Sequence, residues 1–407
     1  MRALVLMLAL LVSCAPRLEP SAERSDEALP CDVDEVLQRR CRTCHGETPS
    51  FGAPMSLVEL GRVRASAIAS RIADNSMPPR PNAPLSGADR AVVDGWLKRG
   101  MPGGDRCATK PSGGPPPVTL GCKTDVSVRP AAPHAVSSDS GDVYVCYGFD
   151  PKVAAKRHVI GIAPRVDATA VVHHVTLLMA DSAVDPTPAS CPIAGSSTWR
   201  SVFGWAPGGN GLELPKEAGF PLDESSHYVV QIHYSNATHR SGLTDASGFD
   251  LCTTSELRPN DADVMAFGTH NFTIPPRADH DLTCTVAVPS YGATTHLFAA
   301  YPHMHLLGTS ISTVVQTPDG ETIGDLGAQP KWDFGNQTWL PIDFVLRPGD
   351  VVKTRCAWRN TTDSYVTFGE KTTDEMCYSF VMYYPRIEHP AWSWASPAVS
   401  SVCSPTR

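Results

Sequence analysis

From residue 122 to its end, this chain offers almost no helical stripe. Short alternating or β-branched runs recur instead, at Val143 to Phe149, Ala170 to Met179, His227 to Tyr234, Ile311 to Gln316 and Tyr378 to Tyr384. Gly, Pro, Asp and Asn separate them. That pattern predicts antiparallel sandwiches. Nearly three hundred residues exceed one such core, so two sandwiches are expected, over 122–257 and 258–407. No clean repeat relates them.

The preceding part reads differently. Val33, Val36 and Leu37 form a short apolar stripe, and Ser86-x-x-Asp89 caps a helix carrying Val92, Val93, Trp96 and Leu97. Gly100 and Pro102 stop it. A small all-α domain is therefore expected over 28–110, followed by a Pro/Gly-rich linker over 111–121. Inside the domain, Cys41-Arg-Thr-Cys44-His45 matches the c-type haem attachment pattern. Cys41 and Cys44 would add to the haem vinyl groups, and His45 would bind the iron. A redox dithiol or half a zinc site is the plainer reading, but the adjacent histidine and the lack of a second matching pair favour haem. Similar cytochromes place a methionine in a loop before the last helix. Met77, in Ser-Met-Pro-Pro, is thus the expected sixth ligand, with Met101 and then Met55 as rivals. Cys31 and Cys107 bracket the domain and could staple its ends.

Residues 1–27 read as an export signal and tether, with a basic start and an apolar run from Ala3 to Val12. That run is too short to span a bilayer as a mature helix. Leu11-Val12-Ser13-Cys14 resembles a bacterial lipobox, which implies lipid on Cys14. Ala15, not aspartate, follows, so an outer-membrane lipoprotein facing the periplasm or cell surface is expected. Export also suits the thirteen cysteines. Setting aside Cys14, Cys41 and Cys44 leaves ten, enough for five bridges. A net charge of −8 without a basic run argues against nucleic acid as partner.

Chemistry concentrates in the β-rich part. His303 and His305 are two apart, so a strand points both to one face. Gln231 and His233 share a face in the same way, opposite Val230, Ile232 and Tyr234. Met376, Tyr378 and Phe380 alternate likewise. His173 and His174 are adjacent, and both can reach one ion only if the backbone bulges or the strand ends there. Five imidazoles and one thioether suit copper better than magnesium or calcium.

Four runs now occur in a telling order. They are Val172-His173-His174, Gln231-Ile232-His233-Tyr234, His303-Met304-His305-Leu306-Leu307-Gly308 and Asp374-Glu375-Met376-Cys377, followed by Met382-Tyr383-Tyr384. The set resembles the copper type II ascorbate-dependent monooxygenases, the family of peptidylglycine α-hydroxylating and dopamine β-monooxygenases. The resemblance spans most of residues 122–407. It implies two jelly-roll-like sandwiches, one copper each, facing across a wet cleft. It implies that His173, His174 and His233 bind an electron-transfer copper. It implies that His303, His305 and Met376 bind the copper where O2 meets a small-molecule substrate, making these three the catalytic set. It pairs Cys146 with Cys191, Cys284 with Cys403 and Cys356 with Cys377. Cys122 with Cys252 is left by elimination.

Two positions depart from the peptide-amidating members. Tyr301 stands where they have an arginine, and Phe380 where they have a tyrosine. An apolar or aromatic substrate, lined by Tyr301, Tyr378, Phe380 and Gln231, is expected rather than a peptide carboxylate. Ascorbate or another reductant would reduce the coppers, and the haem would relay electrons from a periplasmic donor. Two other readings stand beside this one: a non-catalytic copper-binding or copper-sensing lipoprotein, and a haem segment that is merely a fused, independent carrier.

Overall fold

The computed structural model describes residues 29–45, 57, 65–74, 76–78, 85–104, 118–138, 142–169, 171–191, 199–236, 241–289, 293–371, 373–387 and 402–405. Cys14, Met55, Cys107 and most of the linker lie outside them. Among the described residues no helix is long and apolar enough to cross a membrane.

The first part holds helices Cys31–Arg40, Arg42–His45, Ala65–Ala73 and Gly87–Lys98. The Ser86 side chain accepts the Asp89 N–H at 3.1 Å, the cap its sequence announces. Val33, Leu37 and Trp96 bury the stripe, and the indole N–H of Trp96 donates to Pro102 O at 3.1 Å. His45 N–H donates to Cys41 O at 2.9 Å, so the Cys41-Arg-Thr-Cys44-His45 run winds as one helical turn. Met77 and Met101 are both described. Met101 packs with Cys41 against the small core.

The first sandwich pairs two sheets. One runs in the order Val126–Val128, Gly248–Thr254, Arg157–Arg165, Ala218–Leu222 and Asn260–Asp261. The other runs Ala189–Ser190, Asp142–Phe149, His227–Ser235, Val172–Ala180 and Arg200–Trp205. Val230, Ile232 and Tyr234 enter the core between them, as the alternation in that strand requires. The edge strand Asn260–Asp261 lies just past residue 257, so the first sheet is completed from beyond the expected boundary.

The second sandwich stacks Asp263–Gly268, Tyr378–Tyr384, Thr295–His303 and Leu340–Leu346 against Thr322–Gln329, Gly308–Gln316, Val351–Arg359, Asp279–Ala287 and Val402–Pro405. Disulfides join Cys122 to Cys252, Cys146 to Cys191, Cys284 to Cys403 and Cys356 to Cys377. Each sandwich carries two of these bridges.

A packed seam joins the sandwiches. Val264, Ala299, Tyr301, Trp339 and Met382 of the second belong to the core of the first. The Trp339 indole N–H donates to Gly204 O at 3.0 Å, and its ring stacks on Phe203 at 5.4 Å. The seam fixes how the two histidine sets meet. The helical part reaches it too. A Cβ placed on Gly335 would stand 3.1 Å from Arg40 Nη1.

Candidate metal centre

His173 is a bulge residue. His233 pairs with His174, and the next residue, Tyr234, pairs with Val172, so His173 has no opposite number. The extra residue turns His173 toward the same side as its neighbour. This is the backbone irregularity that two adjacent histidine ligands demand. His173 Nδ1 stands 3.3 Å from His174 Nδ1 and 3.1 Å from His233 Nδ1. Ligands on one ion with bonds of about 2 Å stand roughly 3.3 Å apart in a tetrahedral set. Both of these distances match that spacing, and one ligand atom from each of the three residues lies within 4.8 Å of the others.

Neighbours fix the tautomers. His233 Nε2 donates to Asp142 Oδ1 at 2.8 Å, leaving Nδ1 as the lone-pair nitrogen. The Tyr144 ring stacks on His233 at 4.3 Å and 9°. Burial, then the neighbouring imidazoles, hold His173 and His174 well below the ordinary histidine range. Neutral rings are what a cation needs.

The second set is braced from other directions. His303 ends the strand Thr295–His303, and His305 follows it. Gln337 Nε2 donates to Phe334 O at 2.9 Å, which turns Gln337 Oε1 toward His303. His303 Nδ1 donates to that oxygen at 2.7 Å, freeing Nε2. His305 Nδ1 donates to Asp374 O at 3.0 Å, which frees its Nε2 as well. Burial pushes His303 down to about 4 and His305 down to about 3, with His303 adding to the latter. His305 Nε2 is buried and has no hydrogen-bond partner. Such an orphan asks for an explanation, and a metal supplies one.

Met376 joins this set through Glu375. The Glu375 carboxylate is fully buried and accepts from His305 N at 3.0 Å, Leu307 N at 2.6 Å, Trp358 Nε1 at 3.0 Å and Met376 N at 3.2 Å. Trp332 Nε1 donates to His305 O at 2.9 Å. The backbone of His305 is thus held on both sides. Burial pushes the Glu375 carboxyl up to about 7 against the pull of these donors.

The two sets approach each other closely at one point. The His173 and His305 rings lie 6.3 Å apart, and Phe334 packs on both, at 5.0 Å and 6.3 Å. The seam and the Phe334 loop draw the sandwiches together there.

A cavity opens beside this junction. His174 and Gln231 line one side, and His303 and Met376 the other. Tyr301, Tyr378 and Phe380 lie among its walls, as the alternation after Met376 predicts. Trp199, Trp205, Trp339 and Glu370 also line it, and none of these was singled out from the sequence. Three of the six proposed copper ligands, His174, His303 and Met376, thus line one apolar space. Asp142, Phe334, Gln337 and Glu375 were missed as well. Glu375 alone had a local signal, its place beside Met376.

Residues 131–241 match the N-terminal domain, and 260–396 the C-terminal domain, of the copper type II ascorbate-dependent monooxygenases. Together the two matches span more than half of the chain. The chain belongs to this family. It is 30% identical to a tyramine beta-hydroxylase of Caenorhabditis briggsae over 256 residues, 57% of this chain and 43% of that protein. It is 30% identical to DBH-like monooxygenase protein 1 of Gallus gallus over 281 residues, 61% of this chain and 45% of that protein. It is 29% identical to dopamine beta-hydroxylase of Homo sapiens over 294 residues, 63% and 46% of the two chains. The chain thus spans less than half the length of these relatives. The first hundred or so residues, with the Cys41-Arg-Thr-Cys44-His45 run, precede both family domains.

Proposed function

We propose that this protein is a copper-dependent monooxygenase that hydroxylates a C–H bond of an apolar or aromatic small molecule. One observation carries the reading: two clustered sets of imidazoles, with His233, His303 and His305 each held through one ring nitrogen by a neighbour, meet beside a single apolar cavity. Copper, when bound, supplies one-electron chemistry with O2. The balance is R–H + O2 + 2 e⁻ + 2 H⁺ → R–OH + H2O. His173, His174 and His233 would hold one ion, and His303, His305 and Met376 the other. The thioether gives the second site a softer donor than the first. Asp142, Gln337 and the Asp374 carbonyl keep the ligating nitrogens unprotonated. Aromatic walls exclude water from the C–H bond and orient the substrate.

The reading extends to electron supply. The helical turn places His45 one turn from Cys41. That spacing suits a covalent haem with His45 on the iron. Arg40, beside the motif, approaches Gly335 in the loop that carries Phe334 and Gln337. A haem held there would pass electrons one at a time to the nearer copper. Ascorbate would serve as an alternative donor, as the family name states. Replacing Cys41 and Cys44 with Ala should abolish turnover driven by a haem reductant and spare turnover with ascorbate. Equal effects on both would overturn the relay. Export and a lipid on Cys14 belong to the same proposal, and labelled-palmitate incorporation into the cell-envelope protein checks them.

The decisive test is a small-molecule screen of copper-loaded protein under labelled O2, read by mass spectrometry. Addition of one labelled oxygen atom supports the reading. Bound copper with no substrate-dependent O2 uptake would leave a copper binder instead.

A further inference from the structure

O2 reduced in this cavity needs electrons even when no substrate is there. In hydroxylation the C–H bond supplies two of the four electrons that O2 takes up, and the reductant supplies the other two. An empty cavity lacks the first pair. Met376 lines the cavity, and a thioether is readily oxidised to the sulfoxide. That lesion would remove the soft donor of the second metal set.

Two oxidisable rings stand beside His303. Tyr301 and Trp339 line the same cavity and are buried. The Tyr301 ring stacks on the His303 ring at 6.0 Å and 15°. The Trp339 ring lies 5.1 Å from Tyr301 at 32°, and stacks in turn on Phe203 at 5.4 Å. These are aromatic contact distances, so the rings run without a gap from a proposed metal ligand into the first sandwich. Burial pushes the Tyr301 phenol up, which keeps its proton in place. The Trp339 indole is fixed by its hydrogen bond to Gly204 O. Phe380 also approaches His303, at 6.2 Å, but its ring has no O–H or N–H and is far harder to oxidise. Tyr144 stacks on His233, in the other metal set, and its hydroxyl donates to Glu370 O.

We propose that Tyr301 and Trp339 form an oxidisable pair that supplies the two missing electrons when O2 is reduced in an empty cavity. An electron taken from Tyr301 is replaced from Trp339, and Tyr301 then gives a second electron with its phenol proton. The balance is O2 + 2 e⁻ + 3 H⁺ + Tyr–OH + Trp–NH → 2 H2O + Tyr–O• + Trp–NH•⁺. A small reductant entering the cavity, such as ascorbate, returns two electrons and one proton and restores both rings. The result is an oxidase side reaction that spares Met376. It rests on the monooxygenase reading and adds an activity that the six proposed copper ligands do not carry.

Freeze-quench electron paramagnetic resonance of the copper-loaded full chain tests this. The protein is reduced with ascorbate, freed of the excess, mixed with O2 in the absence of substrate and frozen. An organic radical should appear, and its signal should narrow in protein made with ring-deuterated tyrosine. Tyr301→Phe, which keeps the ring and every proposed ligand, should lose that signal. Met376 sulfoxide, read by peptide mass spectrometry after repeated cycles, should rise several-fold in Tyr301→Phe and in Trp339→Phe. No organic radical in the unaltered protein overturns the inference whether or not the variants fold. So does the same radical in a copper-replete Tyr301→Phe protein, or equal sulfoxide in all three proteins. Labelled oxygen inserted into a substrate, with no radical when substrate is left out, would overturn this inference alone. The tyrosyl radical with no labelled oxygen inserted into any substrate would overturn the monooxygenase reading alone.

Discussion

Glu375 Oε2 accepts the backbone N–H of His305 at 3.0 Å and that of Met376 at 3.2 Å. One buried side chain thereby ties together the two segments that carry the thioether and an imidazole of one proposed copper site. The ligands come from distant parts of the chain, so their mutual placement depends on such a tie.

Removing that carboxylate should be costly. Glu375→Ala leaves four donors buried and unmatched, those of His305, Leu307, Trp358 and Met376. A loss of about 3–5 kcal/mol is expected, since each orphaned buried donor costs roughly 1 kcal/mol or more. Urea unfolding of the metal-free protein measures it. A loss below about 1 kcal/mol would mean the network bears little load.

Gln337 should matter for metal rather than for folding. Gln337→Leu keeps the bulk but removes the acceptor of His303 Nδ1. Copper affinity at that site should fall about 10–100-fold, the usual effect of losing a partner of a metal-bound histidine. Competition with a Cu(I) chelator reads this directly. An unchanged affinity would show that the tautomer is set by something else.

Acid should destabilise the metal-free protein. His173, His174, His303 and His305 all have folded pKa values pulled below that of a free histidine. Between about pH 4 and 6.5 the unfolded chain therefore binds more protons, and stability rises with pH. Glu370 and Glu375, pushed up to about 8 and 7, act in the opposite sense. Four imidazoles outnumber two carboxyls. The urea midpoint should be lower at pH 5 than at pH 6.5. A midpoint that is equal or higher at pH 5 would contradict the buried, neutral assignment of these rings.

The bridge between Cys356 and Cys377 closes a short loop, a separation of 21 residues, directly beside Met376. Replacing both cysteines with Ala should cost about 2–4 kcal/mol and loosen the methionine. Unfolding measurements give the first quantity. The Cu–S scattering of the reduced, copper-loaded protein gives the second, and full retention of that signal would show that Glu375 alone positions Met376.

Much of this was legible in the sequence, and for a reason. The strand period put Gln231 and His233 on one face and Val230, Ile232 and Tyr234 on the other, because an alternating strand has no other way to bury its apolar side. The adjacent His173 and His174 required a bulge, and the structure supplies it at His173. Partners distant in sequence were not legible. Phe334, Gln337 and Glu370 carry no pattern that marks them, and they reach the site only through loop paths and the seam between sandwiches. The short His173–His305 separation was hidden for the same reason: domain docking is set by Trp339, Phe203 and their neighbours, not by strand periodicity.

Metal analysis of the intact protein tests the central claim most directly. Unaltered protein should contain two coppers per chain, and His173→Ala and His305→Ala should each contain one. Zinc, or no metal at either histidine set in the unaltered protein, would contradict the account.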